Sequence, residues 1–502
     1  PKRTRDLVAT CHAGNVVADS TEFKGFVSRS KGADIFAGND VTLSGRNVLL
    51  DAATNTASQV ESHRVTQYGV TAALSGYAVE AARAADAAGK AQDEGDERMA
   101  ALYAAKAAYA AYDAVQSGAA AKVTVSVGGG VQKSESSYLD TKAQGSTVNA
   151  GRNVTILANG DGTKDADGYA PNGDITSKGT QIRAGNTVAL DAVRDINLLS
   201  AISSSDQVSK YDAHNASIGV GFGLGGSQNG FTIELAASRA LGESQGLSAT
   251  NQLTGVQAGN VLLINSGRDT TLKGAQAIGN TVVADVGRNL TLASTQDQQT
   301  YNQNDLSGGL NLSLCIPPIC YGSIYGSASV GQTKIDSNYN AVNGQTGLAA
   351  GNGGYSINVG NHTQLDGAVL ASTAIPEKNL LSTQSLGVTE LQNRAGYSAN
   401  TFNYSASAGG SIGDQSGGQP GSTGASETTW GGGTGRPGLG IPQSESSSST
   451  TRSDIAAGTV IVRNGDTSAL DGLDRTATKI QLEGLKEPLN NSWRCERTWD
   501  FA

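Results

Sequence analysis

Residues 258–294, "AGNVLLINSGRDTTLKGAQAIGNTVVADVGRNLTLAS", repeat one short phrase, and that repetition limits the possible folds more than any other feature. The phrase is Gly, then Asn or Arg, then any residue, then apolar-x-apolar. It recurs at Gly38, Gly45, Gly151, Gly185, Gly259, Gly279 and Gly287. Gly267 keeps it with Thr270 in the first apolar place, Val193 replaces the glycine in "VRDINLL", and Gly360 opens a weaker copy. Glycine tolerates positive φ and tight turning. The apolar-x-apolar pair is the period-2 pattern of a short strand with one face inward. Gly259 to Gly279 is a period of about 20 residues with a further turn at Gly267, the spacing of a coil built from two or three short strands. One coil cannot bury its inner face alone, so coils must stack. The reading is mainly β: a right-handed parallel β-helix, a β-solenoid.

Composition agrees. Gly is 66 of 502 residues, aromatics are 5% and there is one Met. Many small strands punctuated by glycine need few of the large side chains that fill a globular core. Other stretches interrupt the coils. Residues 122–140 and 215–246 alternate small and apolar residues and predict hairpins leaving the coil surface. Residues 72–117 are Ala-rich, broken at Gly89 and Gly95, and predict an inserted α-hairpin. Met99 with Tyr103, and Tyr109 with Tyr112, share helix faces. The resulting division is coil repeats at 1–71, the helical hairpin at 72–117, coil repeats with hairpin excursions at 118–405, a disordered Gly/Ser/Thr linker at 406–450, a short pre-toxin-like segment at 451–490 and an atypical tail at 491–502.

Few residues carry chemistry. A net charge of −9 offers no basic face, which argues against nucleic acid. No apolar run approaches a membrane helix. His12, His63, His214 and His362 are scattered without metal-ligand spacing. The Gly219 to Gly225 run lacks the Gly-Lys-[Ser/Thr] ending of a phosphate loop. In "DGTKDADGYAPNGD", Asp165, Asp167 and Asp174 fall at calcium-loop positions. Position one is Thr163 and Pro171 intervenes, so a solvated loop is the simpler reading. Cys315 and Cys320 in "LCIPPICYG" either form a local disulfide, suiting an oxidising compartment, or remain two buried thiols. Cys11 and Cys495 have no evident partner. The charges after the glycines, Arg46, Arg152, Arg268 and Arg288, recur with the repeat and read as turn chemistry, so no enzyme and no cofactor is expected. The start "PKRTRDLVAT" has no Met and no signal sequence, which reads as an internal piece of a longer protein.

"AGNDVTLSGRNVLLDAA", "AGRNVTILANG", "GRDTTLKGAQAIGNTVVADVGRNLTLASTQD" and "LDGAVLASTAIPEKNLLSTQSLGVTELQNRAGYS" resemble haemagglutinin repeats. With the Ala-rich insert, "LCIPPICYGS" and "TTRSDIAAGTVIVR", they are similar to the distal repeat region of filamentous-haemagglutinin-like exoproteins, including contact-dependent growth inhibition proteins. The resemblance implies two-partner secretion through an outer-membrane transporter, by way of an amino-terminal region absent here. It implies a filament on the outer surface of a Gram-negative cell, a target-cell receptor or glycan as partner, and presentation or delivery of a C-terminal toxin. The family pattern stops near Leu489. Adhesion to host cells or biofilm without a toxin is the alternative, and a β-helix polysaccharide-processing enzyme is the remote one.

Overall fold

The computed structural model describes residues 3–6, 10–12, 15–18, 21–75, 77–93, 103–107, 121–224, 228–412, 428–439 and 443–480. It is mainly β, and a 24-stranded sheet with parallel pairings forms its spine. The chain returns again and again to three tracks. On the first, Asp34–Ala37 pairs with Thr147–Ala150, which pairs with Gln181–Ala184, which pairs with residues of Thr254–Ala258. On the second, Asn153–Ala158, Thr187–Ala192 and Val261–Ser266 pair in turn. On the third, Ile175–Lys178, Ile196–Leu199 and Thr270–Lys273 do the same. Every link is parallel. The sequence phrase supplies the inward rows: Leu43, Ile156, Leu190, Ile264 and Ala284 follow one another up the second track, all buried. On the third track Leu50, Ser177, Leu198, Leu272 and Leu292 form a row. Ser177 is its one polar member, fully buried, and its hydroxyl meets no hydrogen-bond partner among the described residues.

The glycine of the phrase has a different job from the one expected. Gly151, Gly185, Gly259, Gly267, Gly287 and Gly360 are not among the positive-φ glycines. Each donates its amide to the coil below, as Gly259 N does to Ala184 O at 2.9 Å. A Cβ added at Gly259 would stand 2.1 Å from Gly185 O, and one at Gly185 would stand 2.2 Å from Gly151 O. Glycine is required because two corners pass too closely for a methyl group. Val193 escapes because Gly160 and Gly173 lie beneath it: a Cβ on Gly173 would come within 2.2 Å of Val193 Cγ2.

Left-handed glycines sit at the third corner instead. Gly32, Gly179, Gly274 and Gly367, with φ of 58°, 59°, 66° and 56°, turn the chain directly into the next coil. The coils between them do not turn there. After Asp51, Leu199, Ala293 and Thr389 the chain runs outward before returning to the first track. The excursions are Ala53–Ser75 (β1) with Ala121–Gln144 (β2), Ala201–Leu224 (β3) with Gln228–Gln252 (β4), Asp297–Ala341 (β5), and Leu391–Ile412 (β6) with Thr428–Leu439 (β7) and Gln443–Thr451 (β8). β5 goes out and back on itself: its first arm pairs with β4 and its last with β6. All of these strands join one antiparallel sheet in the order β7-β6-β5-β4-β3-β2-β1, with β8 also on β6.

The two sheets are commensurate. Adjacent strands lie ~4.8 Å apart in either kind of sheet. An excursion with two arms therefore needs roughly 9.6 Å, the rise of two coils. One hairpin on every second coil keeps both ladders in register.

Three expectations need correction. The coil repeats do not fill 1–71, because residues 53–75 belong to the projecting sheet and their alternation is that of a hairpin arm. The helical insert starts later than residue 72: helix α1 spans Tyr77–Asp93 and residues 103–107 are helical, while 94–102 and 108–120 lie outside the described residues. The span 406–450 is not a linker throughout. β6, β7 and β8 run through it, and Gln443–Thr451 pairs residue by residue with Leu391–Ala399. Ser and Thr fit a solvated strand when a partner edge is present, so composition alone does not decide. Residues 413–427, 440–442 and 481–502 lie outside the described residues.

Gly259→Ala should lower stability by about 2–4 kcal/mol, as overpacking against backbone costs at least as much as overpacking a core, read as the shift of a denaturant midpoint. Deleting residues 254–273, one coil without its hairpin, should break the antiparallel sheet and expose it to protease. Deleting residues 180–274, a coil pair with its hairpin, should leave both sheets protected.

Candidate functional surface

At two corners of the stack, one between the first and second tracks (Arg152, Asn186) and one between the second and third (Arg194, Arg268, Arg288, Asn361), the polar residues of the phrase bind each other from coil to coil. Arg268 makes a two-pronged contact to Asp195 of the coil below, with Nε at 2.9 Å and the second nitrogen at 2.5 Å. Arg288 does the same to Asp269, Arg152 to Asp40 and Arg194 to Asp174. Asparagines form a second ladder: Asn186 Nδ2 donates to Asn153 at 3.0 Å, and Asn361 Nδ2 to Asn289 at 2.9 Å. The recurring arginines, read from sequence as turn chemistry, are inter-coil ion pairs. The signal that identifies them is the Arg-Asp dipeptide at 194–195 and 268–269, one coil apart in space.

Two of these pairs hold their carboxylates, Asp40 and Asp269, in the ionised form. The Arg152 guanidinium holds Asp40 below its ordinary range despite some burial. For Asp269, burial pushes upward most strongly, and the Arg288 pair together with Asn289 and Arg268 brings the net result below the ordinary value. The arginines are raised correspondingly. A carboxylate with a lowered folded-state value stabilises the fold above its unfolded value, near pH 4, and loses that contribution as pH falls through the lowered range.

The loop 159–174 lies at the corner between the second and third tracks. Asp161 is lowered, first by its bonds from Thr163 and Asn172 and then by Arg46. Asp165 Oδ1 accepts the amides of Asp167 at 3.1 Å and Tyr169 at 2.9 Å, so it closes its own turn. Asp174 is committed to Arg194, and the Arg288 guanidinium stands over the Tyr169 ring at 5.5 Å. Among the described residues no group of three or more His, Cys, Asp or Glu side chains is gathered as a metal site. His63 sits beside Glu61, His214 lies 4.0 Å from Asp212, and His362 Nδ1 is 2.8 Å from Ser385 Oγ. The described histidines are thus well apart from one another.

The projecting sheet has two unlike faces. Residues paired directly across strands share a face, so the registers give rows. Val70, Val127, Ile218, Leu235 and Leu312 make one; Val125, Val220, Ile233 and Leu314 another; Leu74, Val123, Phe222 and Phe231 a third. Phe222 and Phe231 touch, with ring centroids 4.9 Å apart. This band is open to solvent: Val70 is 69% exposed, Ile218 58% and Val220 53%. By strand spacing and residue rise it covers roughly 500 Å², a size at which apolar patches on soluble proteins mark contact surfaces. Alternation in "KVTVSV" and "SIGVGF" was its signal, but no hairpin sequence alone tells which rows line up beside it.

The opposite face is small and polar. Gly128, Gly130, Asn215, Ser217, Ser238 and Gly309 line a shallow trough of about 950 Å³ across the strands. At the outer end of that face Lys122 donates to Ser313 Oγ at 2.9 Å and pairs with Glu234. Beside them Cys315 and Cys320, both buried, are joined in a disulfide at the turn of β5. What this arrangement offers is repeated, laterally extended contact area.

Known proteins carry the same features. The haemagglutinin repeat family model matches residues 127–308. The chain is similar to the deoxyribonuclease CdiA of Yersinia pseudotuberculosis, 37% identical over 396 residues, covering 76% of this chain and 36% of that protein. It is similar to the 16S rRNA endonuclease CdiA of Enterobacter cloacae, 36% identical over 477 residues, 91% of this chain and 13% of the relative. It is also similar to the tRNA nuclease CdiA of Escherichia coli O6:K15:H31, 34% identical over 470 residues, 90% and 14%. The chain thus spans little more than a third of the first of these relatives and a much smaller share of the other two. No solved structure matches it.

Arg288→Ala, which removes the two-pronged partner of Asp269, should lower stability at neutral pH by about 0.5–1 kcal/mol, the scale of partly exposed ion pairs. In wild type this corner should hold its stability down to about pH 4 and lose it below. The variant's deficit, read from paired thermal melts, should shrink over the same interval.

Proposed function

The chain belongs to the filamentous-haemagglutinin and contact-dependent growth inhibition exoprotein family, and on that premise we propose that it is the stalk that presents and delivers a toxin to neighbouring bacteria. The observation that carries this reading is a mismatch between names and sequence. Relatives called a deoxyribonuclease, a 16S rRNA endonuclease and a tRNA nuclease share this same region at 34–37% identity. A region common to three different nucleic-acid specificities is a carrier, and the specific chemistry belongs to other parts of those chains. The stack supports it: among the described residues its recurring arginines Arg152, Arg194, Arg268 and Arg288 are engaged with aspartates from coil to coil.

On this reading the three-track stack is a right-handed parallel β-helix, the hand that parallel crossovers take almost without exception. The Ala-rich insert is a helical hairpin joining the outer ends of β1 and β2. The molecule is exported by an outer-membrane two-partner secretion transporter, coils outside the cell, and meets a receptor or glycan on the target surface. No described helix is long and apolar enough to cross a membrane. The amphipathic projecting sheet is the surface through which the stalk engages its target.

The test is a chimaera in which this chain replaces the matching region of a CdiA relative, displayed on a producing strain and mixed with target cells. Delivery predicts that the chimaera inhibits target growth, and that charge substitutions in the apolar band (Ile218→Asp, Val220→Asp) reduce inhibition at least tenfold while display is unchanged. A chimaera that is displayed and binds target cells but inhibits none would leave adhesion as the function.

A further inference from the structure

The C-terminal end of the stack is built differently from its interior, and the difference lies in its hydrogen bonds. Inside the stack, first-track carbonyls are taken by the amides of the next coil: Leu370 O accepts Ala456 N at 2.7 Å. The matching carbonyl one coil on belongs to Ile455, since Leu370 and Ile455 are register partners. Among the described residues Ile455 O accepts no amide of a further coil; it accepts Arg475 Nε at 3.0 Å. The same guanidinium reaches Gly458 O at 2.9 Å and Ala456 O at 3.3 Å. One side chain thus takes the Ile455 carbonyl that a following coil would have used and gathers those of Gly458 and of Ala456, which also accepts Tyr355 Oη at 3.3 Å.

The apolar end is covered as well. After the last second-track strand, Thr459–Val462, the chain makes no third-track strand; a 3-10 turn, Ser468–Leu470, takes that place. Leu470 and Leu473 pack against the core, while Ile480 lies on the outer side of the first track against Val369 and Ala371 and holds the segment to the stack. Arg463 ties this turn back by donating to Gly360 O and Ser382 Oγ, each at 2.8 Å.

We propose that residues 463–480 are a cap that closes the C-terminal face of the stack against a further coil, with Arg475 standing in for the missing backbone donors. An open end of a parallel stack presents a row of unpaired carbonyls and amides, an edge onto which another chain adds readily. The partner the cap excludes is a second copy of this chain, whose own last coil, if uncapped, would present the same unpaired edge. This goes beyond the delivery reading and does not depend on it.

The test is hydrogen exchange and sedimentation on the whole chain. Arg475→Gln removes the charged fork at similar size. Amides of residues 454–462 should exchange at least tenfold faster than in wild type, while those of residues 261–293 should not change. Adding Leu470→Ala and Leu473→Ala should convert a monomer into species whose mass grows with concentration, as uncapped ends accept second copies. Unchanged protection at 454–462 in Arg475→Gln, or a triple variant that stays monomeric, would overturn the proposal.

Discussion

The hydrogen bond between one coil and the next, repeated every ~4.8 Å, is the interaction on which the rest of this molecule depends. It fixes the distance between corners, and so excludes a Cβ where Gly259 passes over Gly185. It stacks like residues on like, so leucine meets leucine inside the core and arginine meets aspartate outside. It also dictates how much may leave the stack. An excursion of two strands fits only if two coils lie beneath it, and the left-handed glycines at 32, 179, 274 and 367 mark the coils that must carry none.

This arithmetic explains how a glycine-rich chain with few aromatic residues builds a structure with two extended sheets. Neither needs a large globular core. The parallel stack buries a narrow row of Val, Leu and Ile on each track, and the antiparallel sheet borrows its order from the stack that anchors every hairpin at the same corner. Because that sheet is a single layer, both of its surfaces remain available, one apolar and one lined with Gly, Ser and Asn. Such a division suits a molecule that must meet surfaces of unlike chemistry.

Much of this was legible in the sequence. The period between Gly259 and Gly279 gives the coil, and the alternation in residues 122–140 and 215–246 gives hairpins, because both patterns are local. Long-range registry was not legible. Nothing in "SESSSSTT" says that it pairs with Leu391–Ala399, since serine-rich strands and serine-rich linkers share a composition and differ only in whether an edge awaits them. The role of the phrase glycine was read as a turning conformation, but the structure shows a steric requirement imposed by a neighbouring coil. The candidate surface suffered most. Asp174 looked like a calcium-loop position until its partner Arg194 stood beside it, and the apolar band exists only once three separate excursions are laid side by side.

The pairing of hairpins with coils has a mechanical side. In both sheets the interstrand hydrogen bonds run along the length of the stack, so tension applied end to end opens them one row after another instead of shearing many at once. Each time a coil pair detaches, its hairpin must leave the neighbouring sheet with it. From Gly179 to Gly274 that unit is about 95 residues, which on full extension spans roughly 300 Å. A stack so made yields in long steps under force, one coil pair at a time, without losing the coils on either side of the break.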